Sequence, residues 1–248
     1  MIKVEKINKS FGSKHVLQDV SFSFEAGKTN LVIGASGSGK TTLIKCMVGL
    51  HTPDSGKIIF DGASFNDLEK KDKRELRQQI GMLFQGGALF DYLTVEQNIA
   101  FPLNMFTNMS EEEKRDRVNF CLNRVNLNNV NDLFPAELSG GMIKRVAIAR
   151  AISMNPKYLF CDEPNSGLDP QTSIIIDNLI HEITQEYNIT TVVNTHDMNS
   201  VVEIGDNIAF ISQGKLAWQG NKDSIISSDC KELNDFVFAS QLFKKLKQ

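Results

Sequence analysis

Apolar positions along this chain recur with two spacings, and the change from one to the other divides it. Residues 1 to about 33 and 57 to 62 alternate over stretches broken by turn signals at Phe11-Gly12-Ser13, Glu25-Ala26-Gly27 and Pro53-Asp54-Ser55-Gly56, which predicts short β segments. Thr29 to Ile33 and Ile80 to Phe84 read as strands, whereas Lys40 to Leu50 carries Leu43, Ile44, Met47 and Val48 at helical spacing. From about Gly86 to Pro156 the pattern turns helical. Thr94-Val95-Glu96-Gln97 and Ser110-Glu111-Glu112-Glu113 read there as capping boxes, each opening a helix. Tyr158 to Cys161 and Thr190 to Val193 are apolar strand runs, and Asp169-Pro170 supplies an N-cap and a proline start for a helix through Ile174 to Ile183. Asp206 to Gly220 looks like a hairpin turning at Gln213-Gly214, and the amphipathic stretch Lys231 to Gln248 like a packed C-terminal helix. Strands alternating with helices predict an α/β fold.

Composition narrows the partners. With 248 residues, 41% apolar and 23% charged, the chain can bury a substantial core as one domain or a domain with a subdomain. A net charge of −3 argues against nucleic-acid binding by phosphate neutralisation, so no nucleic acid is expected. Cys46, Cys121, Cys161 and Cys230 lie far apart, mostly in apolar runs, and read as reduced core residues. Met1 to Glu5 enters an amphipathic strand directly, so no signal peptide is expected. No stretch of about 18 uncharged apolar residues occurs, and the chain is expected to be soluble or peripheral. There is no internal repeat and no low-complexity segment.

Gly34-Ala35-Ser36-Gly37-Ser38-Gly39-Lys40-Thr41 fits the Gly-x-x-x-x-Gly-Lys-Ser/Thr pattern of a phosphate-binding loop between a strand and a helix. Unpaired N–H groups and the positive helix end would face an anion there, with Gly37 and Gly39 letting the backbone approach closely. Lys40 would add a mobile charge for β- and γ-phosphates, and the Thr41 hydroxyl, followed by Thr42, can ligate Mg²⁺. The run Tyr158 to Cys161 ends in Asp162 and Glu163, two carboxylates that an apolar strand tip has little reason to carry unless they are paired or meet a metal.

Leu138-Ser139-Gly140-Gly141-Met142 precedes that strand, and Ser166-Gly167-Leu168-Asp169 follows it. In this order the motifs resemble the ATPase subunit of an ABC transporter. The resemblance implies a P-loop NTPase (RecA-like core) of ABC ATPase type, with an N-terminal antiparallel β-subdomain and a helical subdomain. It implies one domain over 1–248: residues 1–86 and 157–228 form the nucleotide-binding core with its β-subdomain, 87–156 the helical subdomain and 229–248 a helical tail. ATP and Mg²⁺ are the implied cofactors. Asp162 and Thr41 would then act on Mg²⁺, and Glu163 would polarise the attacking water. His196, in Asn194-Thr195-His196-Asp197, matches the switch histidine, and Gln85 the Q-loop glutamine that senses Mg²⁺ and the membrane partner. Phe11 matches the aromatic that stacks on adenine; read alone, it would be a core residue. Ser139, Gly140 and Gly141 resemble the signature that binds the γ-phosphate held by the opposite subunit, with Asp169 closing the motif set. A single chain cannot place its own signature on its own nucleotide, so two copies head to tail with two ATP between them are implied. Met142 departs from the commoner glutamine at its position.

The stretch Met82 to Leu103 resembles the corresponding region of Mla-type ATPases, which power phospholipid transport between bacterial membranes with MCE-class lipid-binding proteins. This implies docking of transmembrane permease subunits through residues 85–103, with Leu89, Phe90, Tyr92 and Leu93 as apolar candidates. It also implies a place in the cytoplasm, peripheral on the cytoplasmic face of the inner membrane. Two alternatives stay open: the ATPase of an amino-acid or metal importer or small exporter, and a non-transport ABC ATPase of an assembly system.

Overall fold

The computed structural model describes residues 1–239. Strands β1 (Ile2–Phe11) and β2 (Lys14–Phe24) form a long hairpin, and β3 (Thr29–Ile33) leads through a glycine loop into α1 (Lys40–Met47). Next come β4 (Ser55–Phe60), β5 (Ala63–Ser64), α2 (Lys70–Gln78) and β6 (Ile80–Leu83). A helical stretch holds α3 (Val95–Phe106), α4 (Glu111–Arg124), a 3-10 turn at Pro135–Glu137 and α5 (Gly140–Ile152). The chain then returns through β7 (Tyr158–Asp162), α6 (Pro170–Glu186), β8 (Thr190–Thr195), α7 (Met198–Ile204), β9 (Asn207–Ser212), β10 (Lys215–Gly220) and α8 (Lys231–Val237).

A six-stranded sheet in the order β10-β9-β3-β8-β7-β6 runs through the centre, parallel except for the β9–β10 hairpin. Every residue of β3, β7 and β8 is buried, as parallel strands covered on both faces require. Their side chains alternate between two cores. Leu31, Ile33, Leu159, Cys161 and Val193 join Ile148, Ile176 and Ile180 on the helical side. Val32, Phe160 and Val192 meet Leu43 and Met47 of α1 and the inner face of a second, antiparallel sheet, β2-β1-β4-β5. The expected α/β class, β-subdomain and helical insertion are therefore present.

Several local readings hold in detail. Thr94 and Ser110 each accept from the third residue of their helix, whose Gln97 or Glu113 side chain accepts from the cap backbone in return. Asp169 caps α6 with Pro170 at its start, and the hairpin turns at Gln213-Gly214. Cys46, Cys121 and Cys161 are free and buried, and Cys230 is free and half-buried. No helix among the described residues is long and apolar enough to cross a membrane.

Others need correcting. β1 and β2 are ten and eleven residues long, not short, and stay paired through several register shifts that absorb their polar interruptions. The first helix stops at Met47 because Gly49 takes φ +76°, and β6 ends at Leu83, leaving Phe84 exposed. Helix α2 gave no apolar signal, since Leu76 is its one buried residue. Of the C-terminal helix expected over Lys231 to Gln248, α8 covers Lys231–Val237, and 240–248 lie outside the described residues.

Candidate functional site

Three neighbouring parallel strands end together. In the order β3-β8-β7, Ile33 pairs with Thr195 and Asp162 with Asn194, so the loops after all three leave from one edge, where α/β sheets bind ligands. Residues 34–39 follow β3, the Glu163 turn follows β7, and His196 follows β8. Distant sequence segments thus meet.

The glycine loop is packed from below and open above. A Cβ on Gly39, at φ +112°, would lie 2.8 Å from the Val16 carbonyl oxygen, so only glycine lets α1 start this close to β2. A Cβ on Gly37, at φ +76°, would meet nothing within 4 Å, and Ser36 is exposed beside it. Gly34 is buried, and Thr41 and Thr42 are half-buried at the helix start. Lys40 folds inward: Nζ donates to the Gly34 oxygen at 2.8 Å and the Ala35 oxygen at 3.0 Å. Burial holds its pKa below the ordinary lysine range, against the upward pull of Glu163 and then Asp162. The buried Ser38 hydroxyl has no hydrogen-bond partner among the described residues.

Next to the loop, Thr41 Oγ1 donates to Asp162 Oδ1 at 3.2 Å. Asn194, fully buried at the tip of β8, donates to that same Asp162 oxygen and to Thr41 Oγ1 at 3.1 Å, while its own Oδ1 finds no partner among the described residues. Asn194 was not among the expected site residues; its signal was a polar residue closing an apolar strand beside the histidine. Glu163 sits in the left-handed region at φ +47°, a strained backbone for a non-glycine residue, fixed by its N–H on the Asn194 carbonyl at 2.9 Å. That turn points its carboxylate at two partners. Gln85 Nε2 donates to Oε2 at 3.3 Å and to Ser166 Oγ at 3.2 Å, and His196 Nδ1 lies 3.2 Å from Oε1. A cleft of about 620 Å³ opens here, lined by Glu163, Ser166, His196 and, from α8, Phe236 and Val237.

Donor chemistry fits the cofactors expected from the sequence. Thr41 and Asp162 offer hard oxygens at hydrogen-bond distance, suited to Mg²⁺, and the Lys40 ammonium rests on the loop carbonyls of Gly34 and Ala35 at the start of α1, suited to phosphate. Among the described residues no cluster of three His, Cys, Asp or Glu could hold a metal.

The remaining expected residues form separate groups. Ser139 and Gly140 are exposed at the start of α5, with Ser139 Oγ accepting from the Met142 N–H at 3.3 Å. They pack on the start of α6: a Cβ on Gly141 would come 2.7 Å from Thr172, and one on Gly140 3.5 Å from Leu168. Asp169 accepts from the Thr172 N–H at 3.0 Å. Neither Ser139 nor Asp169 hydrogen-bonds the glycine loop of its own chain. Phe11, 46% exposed at the β1–β2 turn, stands edge-on to His51 at 5.3 Å, with the Lys9 ammonium 5.4 Å from its ring centre.

Comparison with known proteins places this geometry. A family model described as "ABC transporter" matches residues 17–166. The chain is 39% identical to the methionine import ATP-binding protein MetN of Desulfitobacterium hafniense over 98% of its own length and 73% of that protein's. It is 36% identical to the "Probable ribonucleotide transport ATP-binding protein mkl" of Mycobacterium leprae, over 95% and 68%. Among solved structures, the dimeric ATP-binding cassette MJ0796 in a post-hydrolysis state bound to ADP and Pi superposes with a TM-score of 0.81 at 32% identity, over 90% of this chain and 99% of that one.

Proposed function

The chain belongs to the ABC transporter ATP-binding family and is an ABC-type ATPase, and from that premise we propose that two copies, head to tail, hydrolyse two ATP held between them to drive phospholipid transport across the bacterial envelope. The observation that carries the ATPase part is the meeting of Gln85, Glu163 and His196 beside Lys40, Thr41 and Asp162. Residues 1–86 and 157–228 would act as the nucleotide core, 87–156 as the helical subdomain and 229–248 as a tail.

The reaction transfers the γ-phosphoryl group of ATP to water. The loop N–H groups of Gly37 to Lys40 and the Lys40 ammonium hold the β- and γ-phosphates, and Phe11 offers a face to adenine. Thr41, Asp162 and Gln85 would hold Mg²⁺, whose chemistry when bound is to offset negative charge on phosphate oxygens. Glu163 accepts a proton from the attacking water as its oxygen bonds to phosphorus and the bond to the bridging oxygen breaks, releasing ADP. His196 and Gln85 hold that carboxylate from either side. The partner copy supplies Ser139, Gly140 and Gly141 to the same γ-phosphate. The exposure of Ser139 and its lack of a bond to its own glycine loop support this sharing.

The transport reading rests on the surface after β6. Asn98, fully buried on α3, clamps the loop by accepting from the Phe90 N–H at 2.8 Å and donating to the Phe90 and Leu93 carbonyls. That leaves Tyr92 74% exposed with its ring 5.8 Å from that of Phe90, an apolar surface for a permease helix within 85–103. The likeness of Met82 to Leu103 to Mla-type ATPases supports lipid as the cargo and an MCE-class protein as a further partner, with the ATPase on the cytoplasmic face of the inner membrane. The methionine import relative favours amino-acid import as a second reading. Purifying the complex from membranes separates them: co-purified phospholipid with an MCE-class protein supports the first, and hydrolysis stimulated by an amino acid with a soluble binding protein supports the second.

A further inference from the structure

Helix α5 presents two cations to the loop that carries Gln85. Lys144, only 4% exposed, donates from Nζ to the Gln85 carbonyl oxygen. Arg150, six residues on, donates to the Gly87 oxygen at 2.7 Å and the Ala88 oxygen at 2.8 Å. The loop also lies directly on the helix, since a Cβ on Gly87 would come 3.0 Å from Ile143 Cγ2. Ala88 is held at φ +50°, a conformation its own sequence does not favour. The shape of residues 85–88 is thus imposed by α5.

A lysine is a costly choice at this position. Its ammonium is taken almost wholly out of water, and desolvating a charge costs free energy. Methionine would fill the same space without that desolvation cost. Ser139 caps the same helix five residues before Lys144, about 7.5 Å of helical rise away. One rigid element therefore carries the signature at one end and grips the Gln85 backbone further along.

We propose that Lys144 is a positioning residue that ties Gln85 to α5, so that contact of Ser139 with the partner's nucleotide is passed to the Gln85 amide and, through it, to Glu163 of the same chain. The inference rests on the proposed reading of Ser139 and Gln85 as parts of shared ATP sites. Arg150 holds the far end of the loop, which makes Lys144 the link nearest to Gln85.

Amide hydrogen exchange and steady-state hydrolysis on the full-length protein, with Lys144→Met and Lys144→Gln, test it. The Gly87 N–H, which donates to the Phe84 oxygen at 2.8 Å, reports the order of the loop. Lys144→Met should speed its exchange about tenfold, the scale of one lost charge-assisted hydrogen bond. The same variant should lower kcat at least as far while KM for ATP shifts less than about threefold. Lys144→Gln, a neutral donor of similar reach, should recover most of both. Unchanged exchange in Lys144→Met, or a glutamine variant indistinguishable from methionine, overturns the proposal. Absence of ATP turnover in the parent protein would instead sink the ATPase reading, and the exchange measurement would still judge Lys144.

Discussion

Gln85 donates to Glu163 across 3.3 Å, joining residues 78 positions apart that leave adjacent strands of one sheet. His196 meets the other oxygen of that carboxylate, so Glu163 is aimed and not merely solvated. Removing one support should therefore harm turnover more than nucleotide affinity. For His196→Ala we expect kcat to fall on the order of 10²-fold, the scale of a misplaced reacting group, with ATP affinity held within a few-fold. Phosphate release and a fluorescent-nucleotide titration measure the two; equal losses in both would make His196 a binding residue.

Lys40→Ala removes a charge from the glycine loop and should weaken ATP binding within its own chain. Ser139→Arg places a bulky charge at the exposed start of α5; it should leave monomer binding intact and block dimerisation. Neither variant should hydrolyse ATP alone. Mixed together they form dimers with one intact composite site and should regain part of the parental rate. No recovery in mixtures shown to contain heterodimers would refute site sharing.

Asp177 of α6 is 2% exposed, and burial raises its carboxyl to about 6, with Ser200 and Asn165 pulling it down and Asp197 and Glu203 pushing it up. A raised carboxyl pKa means that the folded chain keeps a proton the unfolded chain releases near 3.9. The favourable contribution is then complete below about pH 4 and is lost as pH rises through about 6. Asp177→Asn should consequently gain roughly 1–3 kcal/mol over the parent at pH 8 and little at pH 4, read from urea midpoints. The same difference at both values would show that the carboxylate is stabilised in some other way.

Tyr92 and Leu89 share a loop yet differ in burial. Tyr92 is 74% exposed, whereas Leu89 packs on the helical core. Tyr92→Glu should shift the thermal midpoint by under about 2 °C while releasing the protein from membranes that hold its permease. Leu89→Glu, at a half-buried position packed on that core, should cost about 1–2 kcal/mol. A Tyr92→Glu protein that stays on those membranes would remove this surface as the docking site.

Much of this was legible before the fold, for local reasons. A glycine loop, a capping box or an Asp-Pro helix start is a short-range pattern whose geometry its own residues dictate. Helix α2 was not legible, because its nine residues KKDKRELRQ include a single apolar residue, Leu76, and so no repeat of apolar positions. Asn194 and Lys144 also escaped, since each acts through a partner that only the sheet order and the α5–loop contact bring near: Thr41 and Asp162 for one, the Gln85 backbone for the other. Long-range pairing is what sequence spacing does not encode.

Glu163→Gln tests the central claim most directly, because it keeps the shape of the site while removing the proton acceptor. With Mg²⁺ and ATP the variant should bind nucleotide, hydrolyse it on the order of 10²-fold more slowly or worse, and remain closed around it. Light scattering should then show the 27.7 kDa chain doubling in mass on addition of ATP and reverting when ATP is removed. A variant that stays monomeric with ATP bound, or that turns ATP over at the parental rate, would contradict the shared-site ATPase described above.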